Sequence, residues 1–276
     1  MTQCTKHYYG DPLMNDFLTF SIQIAQEAGE ILKLAQTQTI LIEEKSANDL
    51  VTEFDKRIDD FLSEKILAQF PNHQILAEES GARGDEGDYC WVIDPIDGTT
   101  NFAHHIPMFA ISIALQYKKQ TIVGVVYNPM NDELFTAQKN QGAFLNGQRL
   151  QINPQATIQG ALLATGFPCK DPDDVPAYMA MFEPLLQASQ GIRRIGAASL
   201  DLAYIAAGRF DGFWEIRLKP WDIAAAALMI SEAGGVVTDL MGGSDFPGKG
   251  VLAGNSALCL AIQTAIRPII STYKLF

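Results

Sequence analysis

Apolar residues recur every three or four positions near the start of the chain, at Leu13, Phe17, Phe20, Ile24, Ala28, Ile31 and Ala35. That spacing predicts an amphipathic helix, with Asp11 able to cap free amides and Pro12 suited to the first helical position. A second stripe, Phe54, Ile58, Phe61, Leu62 and Ile66, predicts a helix over Thr52–Gln69 that Pro71 ends. From Gln74 the period shortens. Ile75–Ala77, Tyr89–Ile93, Phe109–Gln116, Thr121–Tyr127 and Glu133–Ala137 read as strands, with a tight connection at Lys118–Gln120. Asn146-Gly147, between Ala143-Phe144-Leu145 and Gln148-Arg149-Leu150, is a hairpin signal, because both residues tolerate the positive φ of a type I′ turn. The first half therefore predicts helices covering a largely antiparallel sheet.

Asn153–Ala156 is a plausible boundary, after which the pattern changes. A strand at Gly160–Thr165 leads to a Pro/Asp-rich loop, Pro168–Pro176, and a helix near Tyr178–Gln187. Strand and helix then alternate through Gly191–Ile195, Ser199–Ala207, Gly212–Glu215, Asp222–Ala233, Val236–Asp239, Gly250–Ala253 and Ser256–Ile266. Alternation of this kind predicts an α/β half. Two units are expected, residues 1–153 and 154–276.

Hydrophobic residues make up 47% and charged residues 19% of the 276, which excludes a disordered chain and leaves ample material for a core. The formal charge of −12 argues against broad binding to nucleic acid or anionic lipid. Cys4, Cys90, Cys169 and Cys259 form no CxxC pair and no zinc spacing; Cys90 and Cys259, in apolar surroundings, read as reduced core thiols. Met1–Gly10 has no apolar signal core, and no run of about 18 apolar residues occurs. A cytoplasmic protein with no membrane partner is expected.

The candidate chemistry sits at strand ends. Tyr89–Ile93 delivers Asp94-Pro95-Ile96-Asp97-Gly98-Thr99-Thr100, two carboxylates three residues apart. Charges held this close repel, and a divalent cation relieves the conflict; carboxylates and the Ile96 carbonyl are natural ligands of Mg²⁺. Gly98-Thr99-Thr100 can open a short helix whose free amides suit phosphate. Glu78-Glu79-Ser80 follows another predicted strand in the same way. Asp55 stands three residues after Thr52, where it either completes an imperfect capping box or does chemistry. Asp222 opens an alanine-rich helix, where an N-cap and a metal ligand are both open readings. Glu232-Ala233-Gly234-Gly235 closes that helix with a glycine signal. His104 and His105 read as surface or packing residues.

Taken together, Trp91–Phe102, Asp49-Leu50-Val51-Thr52 with Asp55, Glu78-Glu79-Ser80, Trp221-Asp222-Ile223-Ala224-Ala225 and Glu232-Ala233-Gly234-Gly235 make the chain resemble the inositol monophosphatase family, within the lithium-sensitive sugar and inositol phosphatases. Some bacterial members are implicated in ribosomal RNA transcription. The resemblance runs from about Phe17 to about Ala265. It implies an α/β fold (α+β by some schemes) of alternating layers, α, β, α, β, α, commonly in a homodimer. The metal site would belong to the N-terminal unit and be closed by the C-terminal one.

Residue by residue, the resemblance implies one Mg²⁺ on Glu78, Asp94 and the Ile96 carbonyl, and a second on Asp94, Asp97 and Asp222. A weaker third ion would use Glu78 and water. Glu78, Thr99 and Asp55 would serve catalysis, with Thr99 orienting the attacking water and Asp55 as its partner. Gly98 and Thr99 amides would meet the phosphate, while Asp97, Ala198, Glu215 and Asp222 would complete substrate binding.

Implied is Mg²⁺-dependent hydrolysis of a small phosphorylated polyol or sugar, foremost inositol monophosphate. Arg217 and Lys219 motivate an alternative, a phosphatase for NADP, fructose 1,6-bisphosphate, histidinol phosphate or a 3′-phosphoadenosine compound. They would either sit at the pocket mouth or point outward as a solvated rim. Gly196-Ala197-Ala198-Ser199 lacks the hydroxyl often found in the family at Ala197. A regulatory contact with transcription machinery is the other alternative, resting on the resemblance and on the Arg193-Arg194 pair.

Overall fold

The computed structural model describes residues 12–46, 49–85 and 87–276. Cys4 and the proposed Asp11 cap lie outside the described residues, as do Ala47 and Asn48.

The first helix, α1 (Pro12–Ala35), leads to a two-stranded antiparallel ribbon, β1 (Ile42–Ser46) and β2 (Asp49–Thr52). The sequence pattern did not announce this ribbon; polar residues at both faces erase the alternation that marks a half-buried strand. Helix α2 (Glu53–Gln69) follows, then β3 (Gln74–Ala77), the short β4 (Gly81–Arg83), β5 (Tyr89–Asp97) and the one-turn α3 (Thr99–Ala103). A meander of β6 (Ala110–Tyr117), β7 (Gln120–Asn128), β8 (Glu133–Gln138), β9 (Gly142–Leu145) and β10 (Gln148–Arg149) completes an eight-stranded sheet in the order β10-β9-β8-β7-β6-β5-β3-β4. All neighbours in it are antiparallel except β3 and β5. The predicted turn at Asn146-Gly147 has φ of 48° and 78°, both positive as a type I′ turn requires.

After β11 (Leu162–Thr165) come α4 (Val175–Ala188), β12 (Gly191–Arg193), α5 (Ala198–Ala206), β13 (Gly212–Glu215), α6 (Pro220–Glu232), β14 (Val236–Thr238), β15 (Val251–Gly254) and α7 (Ser256–Tyr273). Gly160, expected to begin β11, instead ends a 3₁₀ turn over Ile158–Gly160. The second sheet has the order β12-β11-β13-β15-β14, with β11 parallel to β12 and β13, and β15 antiparallel to both of its neighbours.

Alternation of side chains along the strands builds the layers. Ile111, Ile113, Val123 and Val125 face Ile24, Ala28 and Leu32 of α1 and Ile58 and Leu62 of α2, whereas Ala110, Ala114 and Val126 face α5 and α6. In the second sheet Phe213, Val251 and Ala253 join that middle core, while Trp214 and Leu252 turn to α4 and α7. The result is the expected α, β, α, β, α stack. Gly124 lets α6 lie close on the first sheet, since a Cβ there would meet the Ala225 carbonyl oxygen at 2.7 Å. Alanines 224–226 on α6 serve the same approach. At its far end α6 closes on Gly234, φ +91°, with Gly235 N–H donating to Ile230 O (2.8 Å) and Gly234 N–H to Ser231 O (3.2 Å), the paired bonds of a Schellman stop.

Candidate active site

The strand β5 does not end at Ile93; it runs on through the acidic motif. Asp94 lies opposite Ser112 and Asp97 opposite Ala110, so three residue steps on β5 match two on β6. Residues three apart on a regular strand face opposite sides. The bulge restores parity: Ser112 and Ala110 share a face, and therefore so do Asp94 and Asp97. Pro95, which has no N–H to give the ladder, stands within the bulge. On the neighbouring strand, Glu78 N–H donates to Ile93 O (3.2 Å), which sets Glu78 alongside Asp94 just beyond the end of β3.

Glu78 is held from the other side by Asp59, a buried side chain of α2. The Asp59 carboxylate accepts the amides of Glu79 (3.2 Å) and Ser80 (3.1 Å) and the Ser80 hydroxyl (2.7 Å). Asp97 is bonded across the layers to the start of α5, accepting Ala198 N–H on one oxygen and Ser199 N–H and hydroxyl on the other.

Two further acids come from helix starts. Asp55 completes the capping box of α2, taking Thr52 N–H (2.7 Å) and the Thr52 hydroxyl (2.6 Å) on one oxygen and the Thr99 hydroxyl (3.0 Å) on the other. The capping role is present, and the second oxygen remains bonded to Thr99. Asp222 is not the N-cap of α6: Lys219 is, with Pro220 at the first turn, and one Asp222 oxygen accepts the Lys219 amide (2.6 Å).

These elements converge. Glu78, Asp94, Ile96, Asp97, Gly98, Thr99 and Asp222 line one cavity of about 170 Å³. An adjoining cavity of about 130 Å³ is lined by Asp97, Ala198, Glu215 and Asp222. Asp55 stands behind Thr99 rather than in the lining. The acids disturb each other: burial pushes the Asp94 carboxyl well above its ordinary range, and Glu78, Asp97 and Asp222 push it further. Asp222 is raised by burial and then by Asp97 and Glu78, against the pull of Lys170. Burial raises Asp97 as well, opposed by the bonds from Ser199 and Ala198. Glu215 is pushed up to about 8 by burial and by Asp222.

The donor set fits a hard divalent cation. Among the described residues no group of three or more His, Cys, Asp or Glu side chains is placed to hold a metal ion. Mg²⁺ needs none, since it keeps several waters and is held by one or two carboxylates together with substrate oxygens. Crowded carboxylates around a small polar cavity supply that.

Two of the cations singled out by the sequence are placed elsewhere. Arg217 is paired with Asp174 through Nε and through Nη2 (3.0 Å), and neither Arg217 nor Lys219 is among the described residues lining either cavity. They belong to the rim. Lys170 and Arg194 line the first cavity instead, and Arg194 the second also. His104 and His105 are exposed, His105 Nδ1 lying 3.2 Å from Gln36 Oε1. No described helix is long and apolar enough to cross a membrane.

A model of the inositol monophosphatase family matches residues 13–270. The chain belongs to that family. Relatives include the protein named Nus factor SuhB of Pseudomonas aeruginosa, 44% identical with 92% of this chain and 97% of that one covered. The Nus factor SuhB of Escherichia coli K12 is 42% identical, with 94% and 98% covered. Among solved structures of the family, extragenic suppressor protein suhB from Bartonella henselae has a TM-score of 0.88 at 38% identity, covering 91% of this chain and 98% of its own. Inositol monophosphatase from Anabaena has 0.83 at 35%, covering 93% and 97%.

Sequence reasoning passed over three residues that line these cavities. Lys170 lay in a loop read only as Pro/Asp-rich. Arg194 was read only as half of the Arg193-Arg194 pair that motivates a regulatory contact. Asp201, inside α5, had no local signal beyond a charge in an apolar helix, yet it is buried and lines the second cavity, with Oδ1 unpartnered.

Proposed function

We propose that the chain is a Mg²⁺-dependent phosphomonoesterase acting on small phosphorylated polyols, foremost inositol monophosphate. One observation carries the reading: four acids from the ends of β3 and β5 and the start of α6 share a single cavity with Thr99, beside a second cavity lined by Ala198 and Glu215. Glu78, Asp94, Asp97, Asp222 and the Ile96 carbonyl would hold the ions, two or three per site. Bound there, Mg²⁺ would supply Lewis acidity toward the phosphate and make water nucleophilic near neutral pH.

The chain's own groups do the rest. Thr99 donates its hydroxyl proton to Asp55, so its oxygen can accept a hydrogen bond from water and take water's proton as its own passes to the Asp55 carboxylate. Gly98, at φ +95°, turns the chain into α3, whose first amides have no intrahelical acceptor and can receive phosphate oxygens. Glu215 and the Ala198 backbone would take hydroxyls of the alcohol. No covalent enzyme intermediate is required.

Phosphate release from inositol 1-phosphate, with and without Mg²⁺, tests this. Asp94→Asn is expected to cost about 100-fold or more, since even groups that only support a ligand cost 10- to 100-fold. Activity unchanged in that variant ends the mechanism. A cytoplasmic homodimer belongs to the same reading, and its mass in solution checks the oligomer.

The names of the relatives favour a second reading, a contact with transcription machinery. If Asp97→Asn abolishes hydrolysis while a chromosomal copy of it still supports the regulatory phenotype that deletion removes, that contact is independent of catalysis.

A further inference from the structure

Arg194 lines both cavities, and among the described residues it is the one cationic side chain lining the second. Its position is built. Gly196, at φ +95°, leaves room for the guanidinium, because a Cβ there would meet Arg194 Nη1 at 2.5 Å. The backbone at that place is pinned by Asn101, whose Nδ2 donates to Ile195 O (2.9 Å) and Met108 O (2.6 Å). The guanidinium carbon lies 5.7 Å from the centre of the Phe167 ring, and the side chain is exposed like that of Arg193.

The nearby acids do not use the Arg194 N–H donors for hydrogen bonds. Both oxygens of Asp97 are taken by α5, and Glu215 accepts the Gly166 amide. Arg194 influences Asp97, Asp201 and Glu215 only through space. Arg217, by contrast, is committed to Asp174. A planar guanidinium with free N–H groups beside a pocket suits an oxyanion.

We infer that Arg194 selects phosphomonoesters whose alcohol part carries a second anionic group, a phosphate or a carboxylate. This rests on the phosphatase reading, since it concerns the leaving alcohol of that reaction.

Two matched pairs test it: inositol 1,4-bisphosphate against inositol 1-phosphate, and 2-phosphoglycerate against glycerol 2-phosphate. The ratio of kcat/KM within each pair is measured for the full-length protein in Mg²⁺. Arg194→Gln is expected to lower the ratio at least about ten-fold, mainly through KM, and Arg194→Lys to restore part of it. Loss in the first pair alone assigns the group as phosphate; loss in both admits carboxylate. Arg193→Gln is the control: Arg193 is exposed, donates to the Ile192 carbonyl and lines neither cavity. Equal loss for both members of each pair, or no change, overturns the inference and leaves Arg194 serving the reacting phosphate or its acidic neighbours. If the wild-type protein releases phosphate from none of the four compounds, the phosphatase reading fails. Calorimetric binding of the same compounds then still decides: tighter binding of the doubly anionic members, lost in Arg194→Gln, supports the subsite, and equal binding rejects it.

Discussion

Helices α2 and α6 begin alike. Each places an aspartate at its third position, and in each one carboxylate oxygen takes the amide of the N-cap residue, Thr52 at 2.7 Å and Lys219 at 2.6 Å. They differ in what surrounds the carboxylate. Asp55 is buried and also holds two hydroxyls, Thr52 and Thr99, so all its bonds are satisfied inside the protein. Asp222 is partly buried, faces the cavity, and has Asp97 and Glu78 raising the cost of its charge. One local motif thus yields a carboxylate saturated by hydrogen bonds and a carboxylate left facing a cavity among other acids. Capping occupies one oxygen and leaves the other for a second partner.

The largest effect should come from separating these two uses at α6. Asn at 222 can still accept the Lys219 amide, so Asp222→Asn is expected to keep or raise the melting temperature of metal-free protein while losing about 100-fold or more in activity. The stabilisation given by Mg²⁺, about 2.7 kcal/mol at one hundred times its dissociation constant, should shrink; thermal melts with and without the ion show it.

At α2 the opposite pattern is expected. Asp55→Asn removes charge and one acceptor from a buried knot, costing about 1–3 kcal/mol of stability and a kcat loss on the order of 10²-fold. The Mg²⁺ dependence of the melt should be nearly unchanged. A variant that instead loses Mg²⁺ response would erase the contrast between the two helices.

The pH profile sharpens it further. Glu215, up to about 8 through burial and the nearby Asp222, keeps its proton in the folded metal-free protein where the ordinary carboxyl at 4.5 has lost it. The folded state then binds more protons than the unfolded one. Its contribution is fully present below about pH 4.5 and lost as pH rises through 8, on the order of a few kcal/mol. Glu215→Gln should flatten that fall in metal-free melts. The smallest effect is expected ahead of α6, where Arg217→Gln breaks an exposed pair with Asp174: within about 1 kcal/mol of stability, and no change in kcat/KM for inositol 1-phosphate.

The chain order of apolar positions was enough to locate α1, α2, the meander β6–β8 and the alternation from β11 onward. Those signals are local: a helix stripe or a strand's alternation is written in neighbouring residues. Glu78, Asp94, Asp97 and Thr99 were legible for the same reason, standing immediately beyond apolar strands. Their roles came from the resemblance. The β1–β2 ribbon was not legible, since it lacks a buried face pattern, and the fate of Arg217 was not, since Asp174 lies 43 residues away.

By itself, the sequence determined the elements and the acidic strand ends. The tertiary structure decided which charges meet. A single bulge in β5 turned Asp94 and Asp97 to one face, packing of α6 on Gly124 brought Asp222 to them, and the return of β12 carried Arg194 to the same cavity while Arg217 found a partner at the rim. Electrostatic interactions depend on distance and burial in space, and residues far apart in the chain, such as Asp97 and Ser199 at a separation of 102, acquire both only when the layers close.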